Sequence, residues 1–142
     1  MKKIKNSKGF TLMEMLIVVA IIAVLIAIAV PTFSASLNKA RVATDEANIR
    51  SGYASLVAKL LTTENVTTGS KFQLNTDGSV TDAGVTGSYK TLGNAPADVE
   101  ISGVKVDKWT KGQPVTYTVT IDDNGDFTQI DINAKGTTQT NP

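Results

Sequence analysis

Met15-Leu16-Ile17-Val18-Val19-Ala20-Ile21-Ile22-Ala23-Val24-Leu25-Ile26-Ala27-Ile28-Ala29-Val30 is an unbroken run of sixteen apolar residues. Counted from Phe10 to Val30, the segment has 21 residues. As a helix it extends ~32 Å, the thickness of a bilayer's hydrocarbon core. The nine residues before Phe10 carry Lys2, Lys3, Lys5 and Lys8 and no acid. A basic head of this kind stays on the cytoplasmic side while the apolar run crosses outward. The run exceeds the h-region of a secretory signal, which spans ~7–15 residues. Ala27-Ile28-Ala29 still offers a small-x-small triplet, so cleavage after Ala29 and release of a soluble protein is the competing reading.

The 112 residues after Val30 are polar and rich in Thr, Asp, Asn and Gly. Averages hide this division: the net charge is +1, from 14 basic and 13 acidic residues, and the mean hydropathy is +0.01. The chain has neither Cys nor His. Disulfides, thiolate metal sites and thiol nucleophiles are thereby excluded, as are imidazole bases, Ser-His-Asp triads and His-ligated zinc. Balanced charge also argues against a domain held to nucleic acid by a basic face, and DNA is left open as a partner. No constellation of carboxylates supports an enzyme, and no cofactor is expected.

Glu14 is the chemically misplaced residue, because a carboxylate at mid-bilayer costs about 2.5–3.5 kcal/mol unless it is paired. Either it lies near the cytoplasmic interface and reaches water or lysine, or it awaits a cationic partner. Lys8-Gly9-Phe10-Thr11-Leu12-Met13-Glu14, followed by the long apolar run, resembles the class III signal of type IV prepilins. The resemblance covers residues 8 to about 40. It implies that a prepilin peptidase cuts between Gly9 and Phe10, removing residues 1–9 as a leader and leaving the apolar segment on the protein. Phe10 then becomes the amino terminus and is N-methylated. Gly9 suits a narrow protease site because it has no side chain. The freed Phe10 amine is a cation able to neutralise the Glu14 carboxylate of a neighbouring subunit in an apolar filament core, where either charge alone is costly.

Pro31 follows the run directly. It either ends the membrane helix and opens a second at its first turn, or, as the resemblance implies, marks a kink within one long helix. Related chains often carry a mid-segment glycine, and Ala20 and Ala23 stand here instead, which weakens the case for local melting. Residues 32–64 continue as an amphipathic helix. Val42, Ile49, Tyr53, Leu56 and Leu60 form a bulky stripe expected to lie on a sheet. Phe33, Leu37, Ala40, Ala47, Ala54, Ala58 and Leu61 form a smaller one, suited to packing near other helices. Lys39, Arg41, Asp45, Glu46 and Arg50 read as a solvated face, and Gly52 as a mild helix penalty.

Residues 65–98 are loop-rich, with Phe72-Gln73-Leu74 as a short strand and Asn75-Thr76-Asp77-Gly78 as a turn. Residues 99–133 form the antiparallel sheet: Val99-Glu100-Ile101 and Val104-Lys105-Val106 flank the Ser102-Gly103 turn, and Val115–Ile121 is answered by Phe127–Ile132. The tail, 134–142, is polar and expected to be loose. Asp122, Asn124 and Asp126 mimic the start of a calcium loop, but Gly125 is misplaced for that pattern and no bidentate Glu follows. Asn124-Gly125 reads instead as a hairpin turn.

The expected architecture is α+β and type IV pilin-like. A long amino-terminal α-helix, its first part (residues 10–31) transmembrane, packs its carboxy-terminal half on a three- to four-stranded antiparallel sheet. The implied role is that of a pilus subunit polymerising into a helical surface filament for adhesion, twitching motility, aggregation or DNA uptake. The implied partners are further copies of the chain, prepilin peptidase, the membrane assembly machinery, minor pilins and, before assembly, the lipid bilayer. The precursor would sit in the cytoplasmic membrane with its amino terminus inside, and the mature subunit in an extracellular pilus. Absence of cysteine suggests a Gram-positive style. A pseudopilin of a type II secretion or competence system is the nearest alternative, although Trp109 lies in Lys108-Trp109-Thr110, outside the Pro-Trp-Gly-Asn-Pro-like signature of type II major pseudopilins. A monomeric binding module on an uncleaved signal anchor is the third.

Overall fold

The computed structural model describes residue 9 and residues 11–63, 65–82 and 84–136. Residues 1–8, Phe10, Glu64, Ala83 and the tail from 137 onward lie outside the described residues, and so do the expectations placed on them. The chain divides into two compact units, residues 1–37 and 38–142. One helix, α1 (Leu12–Leu60), runs through both.

Within the first unit, α1 is apolar on every side. Fourteen large apolar side chains between Leu12 and Val30 stand 41% to 79% exposed. An 18-residue window of the helix reaches a mean hydropathy of 3.0. Burying such a side chain fully gains about 1.5–3 kcal/mol, so half-exposing fourteen of them to water costs on the order of 10–20 kcal/mol. That matches or exceeds the whole stability of a typical domain, about 5–15 kcal/mol. Water is therefore the wrong solvent for this unit, and lipid or other helices must cover it. Pro31 lies inside the continuous helix and does not end it. Proline cannot donate to the carbonyl of Ala27. Around it, the Thr32 and Ser34 hydroxyls donate to the carbonyls of Ile28 and Val30 at 3.2 and 3.0 Å.

In the second unit, the remainder of α1 packs against β-structure. Ile49, Gly52, Leu56 and Leu60 are buried, with Val42 and Tyr53 packed beside them. This is the bulky stripe expected from the spacing. The small stripe is exposed at Ala40, Ala47, Ala54, Ala58 and Leu61. The helix stops at Leu60, four residues before the expected end. Thr62 donates both its backbone N–H, at 3.1 Å, and its hydroxyl, at 3.0 Å, to the Lys59 carbonyl, satisfying a carbonyl of the last turn locally.

The strands are β1 (Lys71–Gln73), β2 (Val99–Ile101), β3 (Val104–Val106), β4 (Thr116–Ile121) and β5 (Phe127–Asn133). They form two antiparallel sheets where one of three or four strands over 99–133 was expected: β1-β4-β5, and the separate hairpin β2-β3. Strand β1, from the loop-rich region, takes the free edge of β4, pairing Phe72 with Tyr117. Alternation aims Tyr117 and Val119 of β4 and Ile130 and Ile132 of β5 into the core. The hairpin turn at Ser102 and Gly103 has φ of 53° and 79°, the paired positive angles of a type I′ turn. At the centre of the helix–sheet contact, the Tyr117 hydroxyl donates to the Ile49 carbonyl at 2.8 Å. A Cβ at Gly52 would come closer than 3.0 Å to that hydroxyl and to Leu74. Gly52 is therefore the gap that admits the Tyr117 ring, and its helix penalty is offset by packing.

Candidate functional site

Gly9 is exposed, and among the described residues a Cβ added there would meet no atom within 4 Å. Two residues on, Thr11 and Glu14 bind each other reciprocally. The Thr11 backbone N–H donates to Glu14 Oε2 at 2.9 Å, and the Glu14 N–H donates to Thr11 Oγ1 at 3.2 Å. The first helical bond, from the Met15 N–H to the Thr11 carbonyl, follows at 3.2 Å. This is a capping box: Thr11 is the N-cap, and Glu14 at the third helical position reaches back to it. The reading of the sequence passed over it, although Thr11-Leu12-Met13-Glu14 has the required Ser/Thr-x-x-Glu spacing. The carboxylate thus stands at the amino-terminal, positive end of the helix dipole. Oε2 is occupied, and among the described residues no hydrogen bond reaches Oε1. Chemically the arrangement is an anion fixed at the entrance of an apolar helix. Pro31 lies seventeen residues further along α1, about 26 Å, and belongs to no common site with Glu14.

Asp45 overturns its expected place on the solvated face. It is fully buried. Its carboxylate accepts from the Tyr89 hydroxyl at 2.5 Å, the Leu92 N–H at 2.8 Å, the Gly93 N–H at 2.9 Å and Trp109 Nε1–H at 3.2 Å. Four neutral donors take the place of a counter-ion, and among the described residues no cation pairs with it. Asn48 Nδ2 donates to the Tyr89 hydroxyl at 3.1 Å. Asn38 exchanges two 2.9 Å bonds with the backbone of Asn94. Asn38, Asp45 and Asn48 therefore fasten residues 89–94 onto α1. Burial, and next the bond to Asp45, push the Tyr89 phenol above its ordinary pKa; burial does the same to Tyr117. The signal was available in the spacing. Asp45 lies three residues after Val42 and four before Ile49, on the bulky stripe and not beside it.

Asp122, Asn124 and Asp126 are brought together in the β4–β5 turn. Asp122 Oδ1 accepts the N–H groups of Asn124 and Asp126, both at 2.9 Å, and Gly125 takes φ of 87°. The Asp122 N–H donates to the Asp126 carbonyl at 2.9 Å, closing a three-residue loop with a bulge in the ladder at Thr120/Ile121. The carboxylate thus serves its own turn. Among the described residues no group of three or more Asp or Glu side chains is arranged to hold a metal ion.

Residues 4–30 match the family model described as the prokaryotic N-terminal methylation motif. No curated protein and no solved structure matches the chain. The matched stretch spans Gly9, the capping box and the apolar run as far as Val30. At residues 4–30 the chain carries the class III signal peptide of type IV pilins.

Proposed function

We propose that the chain is the structural subunit of a type IV pilus, made as a membrane-anchored precursor and polymerised into a helical surface filament. The observation that carries this reading is the methylation motif running directly into an apolar helix exposed on all sides. The motif supports a type IV pilin or pseudopilin, families whose members are structural and not enzymatic. Prepilin peptidase cuts between Gly9 and Phe10 on the cytoplasmic side, and the new Phe10 amine is methylated. Removing Lys2, Lys3, Lys5 and Lys8 from the 14 basic residues leaves 10 against 13 acidic, so the mature chain carries −3. Lipid covers the apolar unit first, and the helices of other copies cover it in the filament.

The capping box adds a mechanism for the waiting precursor. Oε2 of Glu14 is bound within its own chain, which lowers the cost of holding the charge near lipid. Oε1 remains for the Phe10 amine of a neighbouring copy, so assembly adds a charge pair without undoing the cap. Pro31 supplies the point at which the helix bends, and the assembly machinery and minor pilins complete the partners. Adhesion, twitching motility, aggregation and DNA uptake are the roles open to such a filament. Mass spectrometry of the mature chain tests the reading. A methylated amino-terminal Phe10 in sheared surface filaments is expected; an intact Met1, or a chain beginning at Val30, would overturn it.

A further inference from the structure

If copies polymerise as proposed above, the surface of the second unit indicates which parts of successive copies meet. Two shallow clefts lie at opposite ends of the α1 segment in that unit. One, of mixed polarity, is lined by Thr128 and Gln129 together with Tyr53, Val57, Leu60, Leu61, Phe127 and Ile130, with Leu61 78% and Phe127 38% exposed. The other is lined by Ala95, Pro96, Lys108, Trp109 and Lys135 together with Asn94, whose backbone is bound to Asn38. From Asn38 to Leu61 the helix advances about 35 Å.

The two ends carry opposite charge. Beside the first cleft, Phe127 continues directly from the β4–β5 turn with Asp122, Asp123 and Asp126, all exposed. Asp122 is engaged within the turn, while Asp123 and Asp126 make no ion pair among the described residues. At the other cleft Lys135 is held by Asp107 at 2.7 Å, and the neighbouring Lys105 by Asp98 at 3.0 Å. Lys108 and Lys111 are exposed and make no ion pair among the described residues; the Lys111 backbone is tied to Asn94 Oδ1 at 2.8 Å.

We propose that these two surfaces bind each other between copies of this chain, the Asp123/Asp126 end of one against the Lys108/Lys111 end of the next. Charge complementarity selects a second copy as the occupant, and the exposed Leu61 and Phe127 supply apolar area at the same contact. Because the two surfaces differ and lie at opposite ends, the contact is heterologous. Each added copy leaves one of each surface free, so the association propagates and does not close at a dimer.

The full-length chain, in cells that assemble it, provides the test. It has no cysteine, so no native thiol of the chain competes with the introduced ones. A variant with both Asp126→Cys and Lys111→Cys is expected to give, on mild oxidation, a ladder of covalent multimers, whereas either change alone stops at dimers. A double variant that yields filaments but no species beyond dimers overturns the proposal. Charge reversal supplies a second measurement. Asp123→Lys with Asp126→Lys should cut the yield of sheared filaments about tenfold at low salt, where screening is weakest, and adding Lys108→Glu with Lys111→Glu should restore it. An undiminished yield, or failure of the second pair to restore it, refutes the contact. Absence of filaments from the unaltered chain would overturn the filament reading and this one with it, whereas filaments without a ladder overturn this one alone.

Discussion

Replacing Asp45 by Ala removes the acceptor for four buried donors at once: the Tyr89 hydroxyl, the Leu92 and Gly93 amides and the Trp109 indole. Each buried donor left unpaired costs about 1–3 kcal/mol, which sets a ceiling of roughly 4–12 kcal/mol. Segment 89–94 can relieve part of this by lifting away and letting water reach the two amides. The remaining loss is then about 3–5 kcal/mol, set mainly by the Tyr89 hydroxyl and the Trp109 indole, which stay buried without an acceptor. Asp45→Asn keeps one acceptor oxygen but turns an NH2 toward the remaining donors, so a smaller loss of about 1.5–3 kcal/mol is expected. Trp109 is the chain's sole tryptophan and touches the altered carboxylate, so its fluorescence reports the change directly. The assay is urea unfolding of the full-length chain in detergent micelles. With a slope of about 1–1.5 kcal/mol per molar, Asp45→Ala should lower the midpoint by roughly 2–5 M or abolish the folded baseline. Amide exchange at Leu92 and Gly93 should accelerate in parallel. A loss below about 1 kcal/mol for Asp45→Ala would refute the reasoning, since the donors would then have found partners that the structure does not contain.

Gly52→Ala sets a helix-propensity gain of about 1 kcal/mol against overpacking of about 1–3 kcal/mol where the new methyl meets Tyr117 and Leu74. A net loss of about 1–2 kcal/mol is expected by the same unfolding assay, and a stabilised variant would contradict the close approach of Tyr117. Thr11→Ala removes one arm of the capping box and should lower helix stability by about 1 kcal/mol, read as fraying of the α1 start in micelles by amide exchange at Met13 and Glu14. Glu14→Ala should abolish filament assembly while leaving cleavage after Gly9 intact; unchanged assembly would remove the amine–carboxylate pair from the mechanism. For pH, the Tyr89 and Tyr117 phenols are held above the unfolded value near 10. Their contribution is complete below about pH 10 and is lost as pH rises beyond it, because the unfolded chain gives up those protons more readily. Two of the three tyrosines should therefore show phenolate absorbance only together with loss of the Trp109 signal. Free titration of all three with the fold intact would contradict their burial.

Much of the helix was legible because its signals are local. An apolar run announces itself without reference to the rest of the chain, and three- and four-residue spacings place Ile49, Leu56 and Leu60 inward whatever they pack against. Turn chemistry is equally local, so Ser102-Gly103 and Asn124-Gly125 were readable from neighbours in sequence. Asp45 and Gly52 were misjudged for the opposite reason. Their partners, Tyr89, Leu92, Trp109 and Tyr117, lie more than forty residues away, and residue type alone assigns a carboxylate to water and a helical glycine to weakness. The division of the strands into two sheets was hidden in the same way, because β1 joins β4 across more than forty residues of intervening chain.

By itself, the sequence determined that one segment must leave water, that its entrance carries an anion five residues after a glycine, and that thiol and imidazole side chains are absent. Those are properties of composition and short spacing, and no fold can change them. Only the tertiary structure decided where that anion's bonds go, which carboxylate is buried, and which charges are left unpaired at each end of the second unit. Each of those depends on partners brought together by folding, and a buried donor or acceptor must be satisfied wherever the chain places it.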